Sequence, residues 1–110
     1  MKIVNLTPHD VVVRTNAGDL VFPASGAMAR VTSSQIADGD IDGIPVMKTV
    51  FGEVEGLPDP QPDTVFIVSG IVMTALKGSR SDVVQPDTSP AGAVRDDSGR
   101  IIAVRGFQRV

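Results

Sequence analysis

The chain has 110 residues, 42% of them apolar and 21% charged, with no cysteine and a net charge of −3. One domain accounts for that length and can bury a modest core without staples, and the composition is too rich in Val and Ile for a disordered chain. The missing thiols exclude a disulfide framework, a thiolate nucleophile and thiolate metal sites, which suits a reducing interior and makes the cytoplasm the expected address.

Taken in chain order, the pattern is short strands with turn punctuation. The start, Met1-Lys2-Ile3-Val4-Asn5, carries one charge and turns polar at once, unlike a secretory signal. Ile3-Val4 reads as extended. "NLTPH" follows, Asn5 to His9, holding the only histidine. Pro8 fixes its own φ and biases Thr7 toward extended geometry, and Asn5 and Thr7 can bond local backbone, which describes a turn. The functional alternative places Asn5, Thr7 and His9 in a pocket wall, where a carboxamide and a neutral imidazole read base or ribose edges.

Asp10 to Thr15 and "DLVF" form a hairpin around Asn16-Ala17-Gly18, with Gly where a positive φ is needed. Further strands are expected at Ala27 to Thr32 and, as one or two, at Pro45 to Val54, where Val and Phe alternate with polar residues. Between them "DGDIDG", Asp38 to Gly43, starts like a calcium loop, but its twelfth position is Thr49 instead of a bidentate Glu, so an acidic turn is expected. "LPDPQPD", Leu57 to Asp63, has three prolines in seven residues and reads as a semi-rigid exposed connection.

Thr64 to Val68 is a strand-length apolar run, Ser69-Gly70 breaks it, and Ile71 to Lys77 suits two helical turns closed by Gly78 at C′. Ser81 to Val84 is extended again. Strand, short helix, strand is the order that sets two strands parallel. The apolar run Val65 to Leu76 falls short of the roughly 20 residues a membrane span needs, so no membrane is expected. Only Thr74 and Lys77 of the helix are polar, and a helix apolar nearly all round asks for burial on every side. A small domain has little depth, so a homo-oligomer with this segment at the interface is expected.

Ser69 either caps the helix or leaves its free N–H groups, with Gly70, to an anion. Arg80, Asp82 and the hydroxyl of Thr88 follow closely. The chain closes as a hairpin, "AVRDD", Ser98-Gly99, "RIIAVRGF", with Arg95 and Arg105 on opposite arms, their repulsion relieved by Asp96 and Asp97 or by an anionic ligand. Together these elements describe an α+β fold of short strands in a mixed sheet or small barrel, with hairpins and one short buried helix.

Charge is uneven along the chain. Residues 1–65 carry four basic and nine acidic side chains, −5, and residues 66–110 carry six and four, +2. Seven of the ten basic residues are arginine, whose planar fork matches phosphate and carboxylate oxygens. A pI near 4.9 and only four aromatic side chains, all Phe, argue against a nucleic-acid polymer as partner. A small anionic ligand needs only a few convergent donors. Ser69, His9 and Asp82 compose a triad on paper, but "IVSGI" lacks the nucleophile-elbow glycine, and one histidine without cysteine does not suit a metal site. Nothing calls for a cofactor.

"NLTPH", "FIVSGIV", "SRSDVVQPDT" and "RDDSGRIIAVRGF" together resemble a family of small proteins found in phages and prophages. Small phage proteins of similar scale include oligomeric anti-defence sponges that sequester nucleotide signals of bacterial immunity. That comparison is one of size and setting and assigns no residue; with the arginines and the helix start it leads to the expectation of a homo-oligomeric binding protein of the host cytoplasm that captures a small phosphorylated ligand such as a cyclic nucleotide. Asn5, Thr7, His9, Ser69, Gly70, Arg80, Asp82, Thr88 and Arg105 are the candidate contacts. Three other classes stay open: a nucleotide-cleaving enzyme using His9, a module that inhibits a host protein, and a phage structural component. If Arg80 holds an anion, Arg80→Ala weakens the ligand by about 1.5 to 3 kcal/mol and scarcely alters folding.

Overall fold

A computed structural model describes residues 1–109. Ten strands and one helix follow in the order β1 (Lys2–Asn5), β2 (Val11–Thr15), β3 (Gly18–Phe22), β4 (Arg30–Ile41), β5 (Ile44–Glu55), β6 (Thr64–Ile67), α1 (Gly70–Leu76), β7 (Val83–Pro86), β8 (Ala93–Arg95), β9 (Ile101–Val104) and β10 (Phe107–Gln108). The fold is α+β, with its strands shared between two four-stranded mixed sheets, β1-β6-β7-β10 and β3-β2-β9-β8, and a separate ribbon, β4-β5.

The strand–helix–strand order does set β6 and β7 parallel, with Phe66 opposite Val83 and Ile67 opposite Val84. β1 joins the other side of β6, also parallel. Both central strands are buried on two faces, which is why their sequences run apolar without alternation. Phe66, Val68 and Val83 pack toward α1 with Leu6, Ala29, Val72 and Met73. Ile67 and Val84 pack the other way, onto Val11, Val13 and Val104 of the second sheet. Each of these side chains contributes roughly 1.5 to 3 kcal/mol of burial.

The first hairpin turns at Asn16-Ala17, and Gly18 opens β3 at φ 118°. The last hairpin is tied by Asp96, whose carboxylate accepts from the Ser98 hydroxyl at 2.7 Å and from the backbone N–H groups of Ser98 and Arg100. Those bonds, the Ser98 hydroxyl foremost, hold the Asp96 carboxyl below its usual range. After β9 the chain crosses at Gly106 to the first sheet, where β10 pairs antiparallel with β7.

Three expectations change. Of the strand expected at Ala27 to Thr32 only Arg30 to Thr32 is extended in a sheet, and with Pro45 to Val54 it is part of one long ribbon of two 12-residue strands, with a bulge between Ala37 and Asp40 that lets β4 run on through the acidic stretch. The turn is confined to Asp42-Gly43, both at positive φ. The left-handed end of the helix begins at Lys77 (φ 53°), one residue before Gly78. Finally, the helix is covered by its own chain: Val72 and Met73 are buried, Ala75 and Leu76 half-buried, and only Ile71 of its large side chains is exposed. The root of the β4–β5 ribbon lies across it through Val31 and Val54. The depth that a lone subunit lacked on paper comes from that ribbon, so the helix does not itself require a second subunit. No helix among the described residues is long and apolar enough to cross a membrane.

Candidate functional site

The "NLTPH" segment is built around Asn5. Buried at the end of β1, its Oδ1 accepts from the Thr7 N–H at 2.9 Å, and its Nδ2 donates to the carbonyls of His9 and Phe22, both at 2.8 Å. The Thr7 hydroxyl lies 2.7 Å from Asn5 Oδ1 and 2.9 Å from the His9 carbonyl, with one proton for the two acceptors. Each polar atom of the Asn5 carboxamide is thus used inside the turn. Asn5 is an organiser: it ties the turn to the end of β3 and leaves Pro8 and His9 exposed at the crest.

That crest forms one wall of a cleft of about 520 Å³. Thr7, His9, Asp10 and Val12 line one side, Ser69 and Gly70 the head of α1, Gln85 and Thr88 the end of β7 and the loop beyond it, and Ile101 and Ile102 the start of β9. The size lies inside the range of small-molecule sites, and the lining is largely aliphatic with a few neutral polar groups and one carboxylate, Asp10, whose Oδ1 accepts from the Ala24 N–H at 3.0 Å. At its edge Gln85 donates through Nε2 to Gln108 Oε1 at 3.0 Å, while its own Oε1 is buried with no partner. That oxygen sits 3.3 Å from the point a side chain on Gly70 would occupy, so glycine at 70 makes room for it.

Five of the nine candidate contacts converge here: Thr7, His9, Ser69, Gly70 and Thr88. The Ser69 side chain makes no capping bond, and the seven residues of α1 align too few peptides for a full macrodipole, so neither the cap nor the anion reading of the helix start is supported.

Arg80 and Asp82 do not line the cleft. Arg80 donates through Nε and Nη2 to the two Asp82 carboxylate oxygens, both at 2.8 Å, and again to the Pro58 carbonyl at 2.9 Å. The side chains are only 20% and 18% exposed. This clasp fastens the proline-rich connection to the segment after α1, and its hydrogen bonds push the Arg80 pKa up and the Asp82 pKa down. The expectation that Arg80→Ala spares folding is therefore reversed. The paper triad is not assembled either: Ser69 and His9 share the cleft, but Asp82 is engaged elsewhere.

Arg105 lies on a second concavity, of about 430 Å³, with Arg14, Thr15 and Asn16. The expected Arg95–Arg105 pairing does not form, because Arg95 pairs with Ile101 and donates to the Gly99 carbonyl. Arg14 is the neighbour instead. β2 and β9 run parallel with Val13 opposite Val104, both in the core, and Arg105 follows in the bend just past β9, where it comes beside Arg14 of β2. The cleft and this concavity share no lining residue: the cleft takes Val11 and Val12 from the start of β2, and the concavity takes Arg14 and Thr15 from its end. Each arginine is pre-positioned. Arg14 Nε and Nη2 bond the Asp19 carboxylate at 3.0 and 3.2 Å, and Arg105 Nη1 bonds the carbonyls of Ala91 and Ala93 at 3.1 and 3.2 Å. Arg14 Nη1 and Arg105 Nε and Nη2 have no protein partner among the described residues.

Sequence reasoning missed Arg14, Gln85 and the two isoleucines as lining residues. No local signal marks them, since their placement depends on which strands become neighbours. Among the described residues no group of three or more His, Asp or Glu side chains is placed to hold a metal ion. Compared with models of known protein families, with curated proteins and with solved structures, the chain matches none.

Proposed function

We propose that this protein captures a small phosphorylated, nucleotide-derived ligand and holds it without turnover. The observation that carries the reading is a pair of concavities served by the same strand β2: a largely aliphatic cleft with a few hydroxyls, His9 and Asp10 in its lining, and a smaller one that holds Arg14 and Arg105. A base or sugar fits the first by apolar contact and the hydroxyls of Ser69 and Thr88. Phosphate fits the second, where guanidinium forks offer charged donors. The resemblance to small phage proteins adds the setting. In that setting the ligand is a nucleotide signal of bacterial immunity and the protein is an oligomeric anti-defence sponge.

Retention is favoured over cleavage because the imidazole of His9 has no carboxylate to orient it among the described residues. A general acid or base is ordinarily positioned by such a partner.

The test is native mass spectrometry of the protein after incubation with AMP, cyclic AMP, cyclic di-AMP and cyclic di-GMP, followed by heat release and mass analysis of what was bound. The reading expects at least one of them to bind stoichiometrically and return intact. Arg14→Ala and Arg105→Ala should each weaken it by about 1.5 to 3 kcal/mol, roughly 10- to 150-fold. Turnover that disappears in His9→Ala would establish an enzyme instead. The absence of any bound nucleotide, added or co-purified, would end the proposal.

A further inference from the structure

The radius of gyration is 16.4 Å, whereas a compact domain of this length has about 13 Å. The excess is the β4–β5 ribbon, which at 12 residues per strand spans about 40 Å. Only its root is held by the body, through Val31 and Val54. Beyond the root no third strand among the described residues pairs with either edge. A bare two-stranded ribbon is marginal in water.

This one nevertheless carries large apolar side chains in the open: Ile36, Ile41, Ile44, Met47 and Val50 are between 41% and 67% exposed. They are not scattered. Ser34 pairs with Val50 and Ile36 with Lys48, so Ile36 and Val50 are diagonal neighbours on one face, while Met47 stands opposite Ala37 on the other. Ile41 and Ile44 pair at the tip.

Charge is concentrated on the same element. Residues 30–55 carry Arg30 and Lys48 against Asp38, Asp40, Asp42, Glu53 and Glu55, a balance of −3, which equals the net charge of the whole chain, so the rest is neutral. The three aspartates near the tip make no ion pair among the described residues, and neither does Arg95 on the body, which bonds only the Gly99 carbonyl and lines neither concavity.

We infer that the ribbon is a self-association arm, packed in the assembled protein against a second copy of this chain with its acidic tip directed at the partner's arginine-bearing body. Three arguments select a second copy. Each face of the ribbon measures about 40 by 10 Å, so its two faces offer roughly 800 Å², what one partner contributes to a stable interface. The acidic tip and the basic side chains that would answer it belong to the same sequence, and a two-fold pair brings them together twice. An arm that is marginal when bare needs cover whenever the chain is folded, and only another copy is present wherever this chain is made. The inference does not depend on the ligand reading: no residue of the ribbon lines either concavity, and it survives if no nucleotide binds.

The test is the mass of the native protein by sedimentation across the micromolar range, with Ile36→Asp/Val50→Asp as the arm variant and Ile71→Asp as a variant of the exposed helix position. The wild-type chain should sediment at a multiple of 11.5 kDa. The arm variant should dissociate roughly 100-fold more readily or more, and Ile71→Asp should assemble like the wild type. Hydrogen exchange on the wild-type protein removes dependence on any variant's folding: amides of residues 36–50 should gain protection as concentration rises. A wild-type chain that stays at single-chain mass, an assembly untouched by the arm substitutions, or exchange in the arm that ignores concentration would each overturn the inference.

Discussion

Replacing Asn5 by Ala tests whether the "NLTPH" segment is a structural staple. The substitution deletes three hydrogen bonds made by the carboxamide to backbone, to Thr7 N–H and to the carbonyls of His9 and Phe22. The Thr7 hydroxyl already lies 2.9 Å from the His9 carbonyl and can give it the proton that Asn5 Oδ1 no longer takes. Two backbone groups are then left without a partner, at about 1 to 3 kcal/mol each. The Thr7 end is buried and the Phe22 end half-buried, so water relieves part of the second cost and the expected loss is about 3 kcal/mol. Urea unfolding followed by far-UV circular dichroism should show the midpoint fall with the slope unchanged. Asn5→Asp sharpens the test. It keeps the acceptor for Thr7 but sets a carboxylate against two carbonyl oxygens, which raises its folded pKa above the unfolded value. Its destabilisation should therefore grow as pH rises through the carboxylate range and shrink in acid. A loss below about 1 kcal/mol in Asn5→Ala, or a pH-independent Asn5→Asp, would refute the staple.

Arg80→Ala should destabilise by about 2 kcal/mol, measured by the same unfolding, because it strands Asp82 and the Pro58 carbonyl together. Arg80 holds the folded pKa of Asp82 below the unfolded value, so the stability from this clasp is complete above the ordinary carboxylate range and is lost as pH falls through the depressed folded pKa. Acid titration of stability should show that component vanish in Asp82→Asn. Gly56, at φ 80°, faces the Met28 carbonyl at the place a side chain would begin, so Gly56→Ala should lower Tm by about 10 °C in calorimetry. Gly70→Ala should disturb the cleft more than the fold, visible as shifted NMR signals of the Gln85 side-chain amide with Tm little changed, since the crowded atom is the end of a flexible side chain.

What could be seen of the fold in advance was whatever is decided locally. Gly18 and the Asp96-Asp97-Ser98-Gly99 turn specify hairpins through their own φ values and side-chain bonds, and the apolar runs on either side of α1 declare strands buried on both faces. The ribbon is different. Its side chains alternate against solvent on two faces, so no core imposes a pattern, and the glycine and aspartates of "DGDIDG" look like a turn although Gly39 serves a bulge within β4. Reading that stretch as a boundary shortens β4 by most of its length and hides the arm. The same omission made α1 look undersupplied with cover, since the chain that buries it comes from the ribbon's root.

The site was legible to the extent that its parts are contiguous. His9 and Thr7 enter the cleft because a proline and a buried carboxamide shape five consecutive residues, and those residues announce themselves. Arg14 and Arg105 are 91 positions apart and meet only because β9 lies parallel beside β2, a pairing that neither strand's sequence encodes. Arg80 misled for the converse reason. An arginine two residues from an aspartate offers its fork outward on paper, but two aligned carboxylate oxygens at 2.8 Å satisfy most of that fork before any ligand arrives. An arginine can serve an anion only with the donors its neighbours leave free. By that measure Arg105, which bonds only carbonyl oxygens, is the better candidate for a phosphate, while Arg14 keeps only Nη1 beyond its Asp19 carboxylate, much as Arg80 does beyond Asp82. On the proposed function Arg105→Ala should therefore weaken nucleotide capture more than Arg14→Ala does, while the Arg80–Asp82 clasp, and with it the fold, stays intact in unfolding measurements.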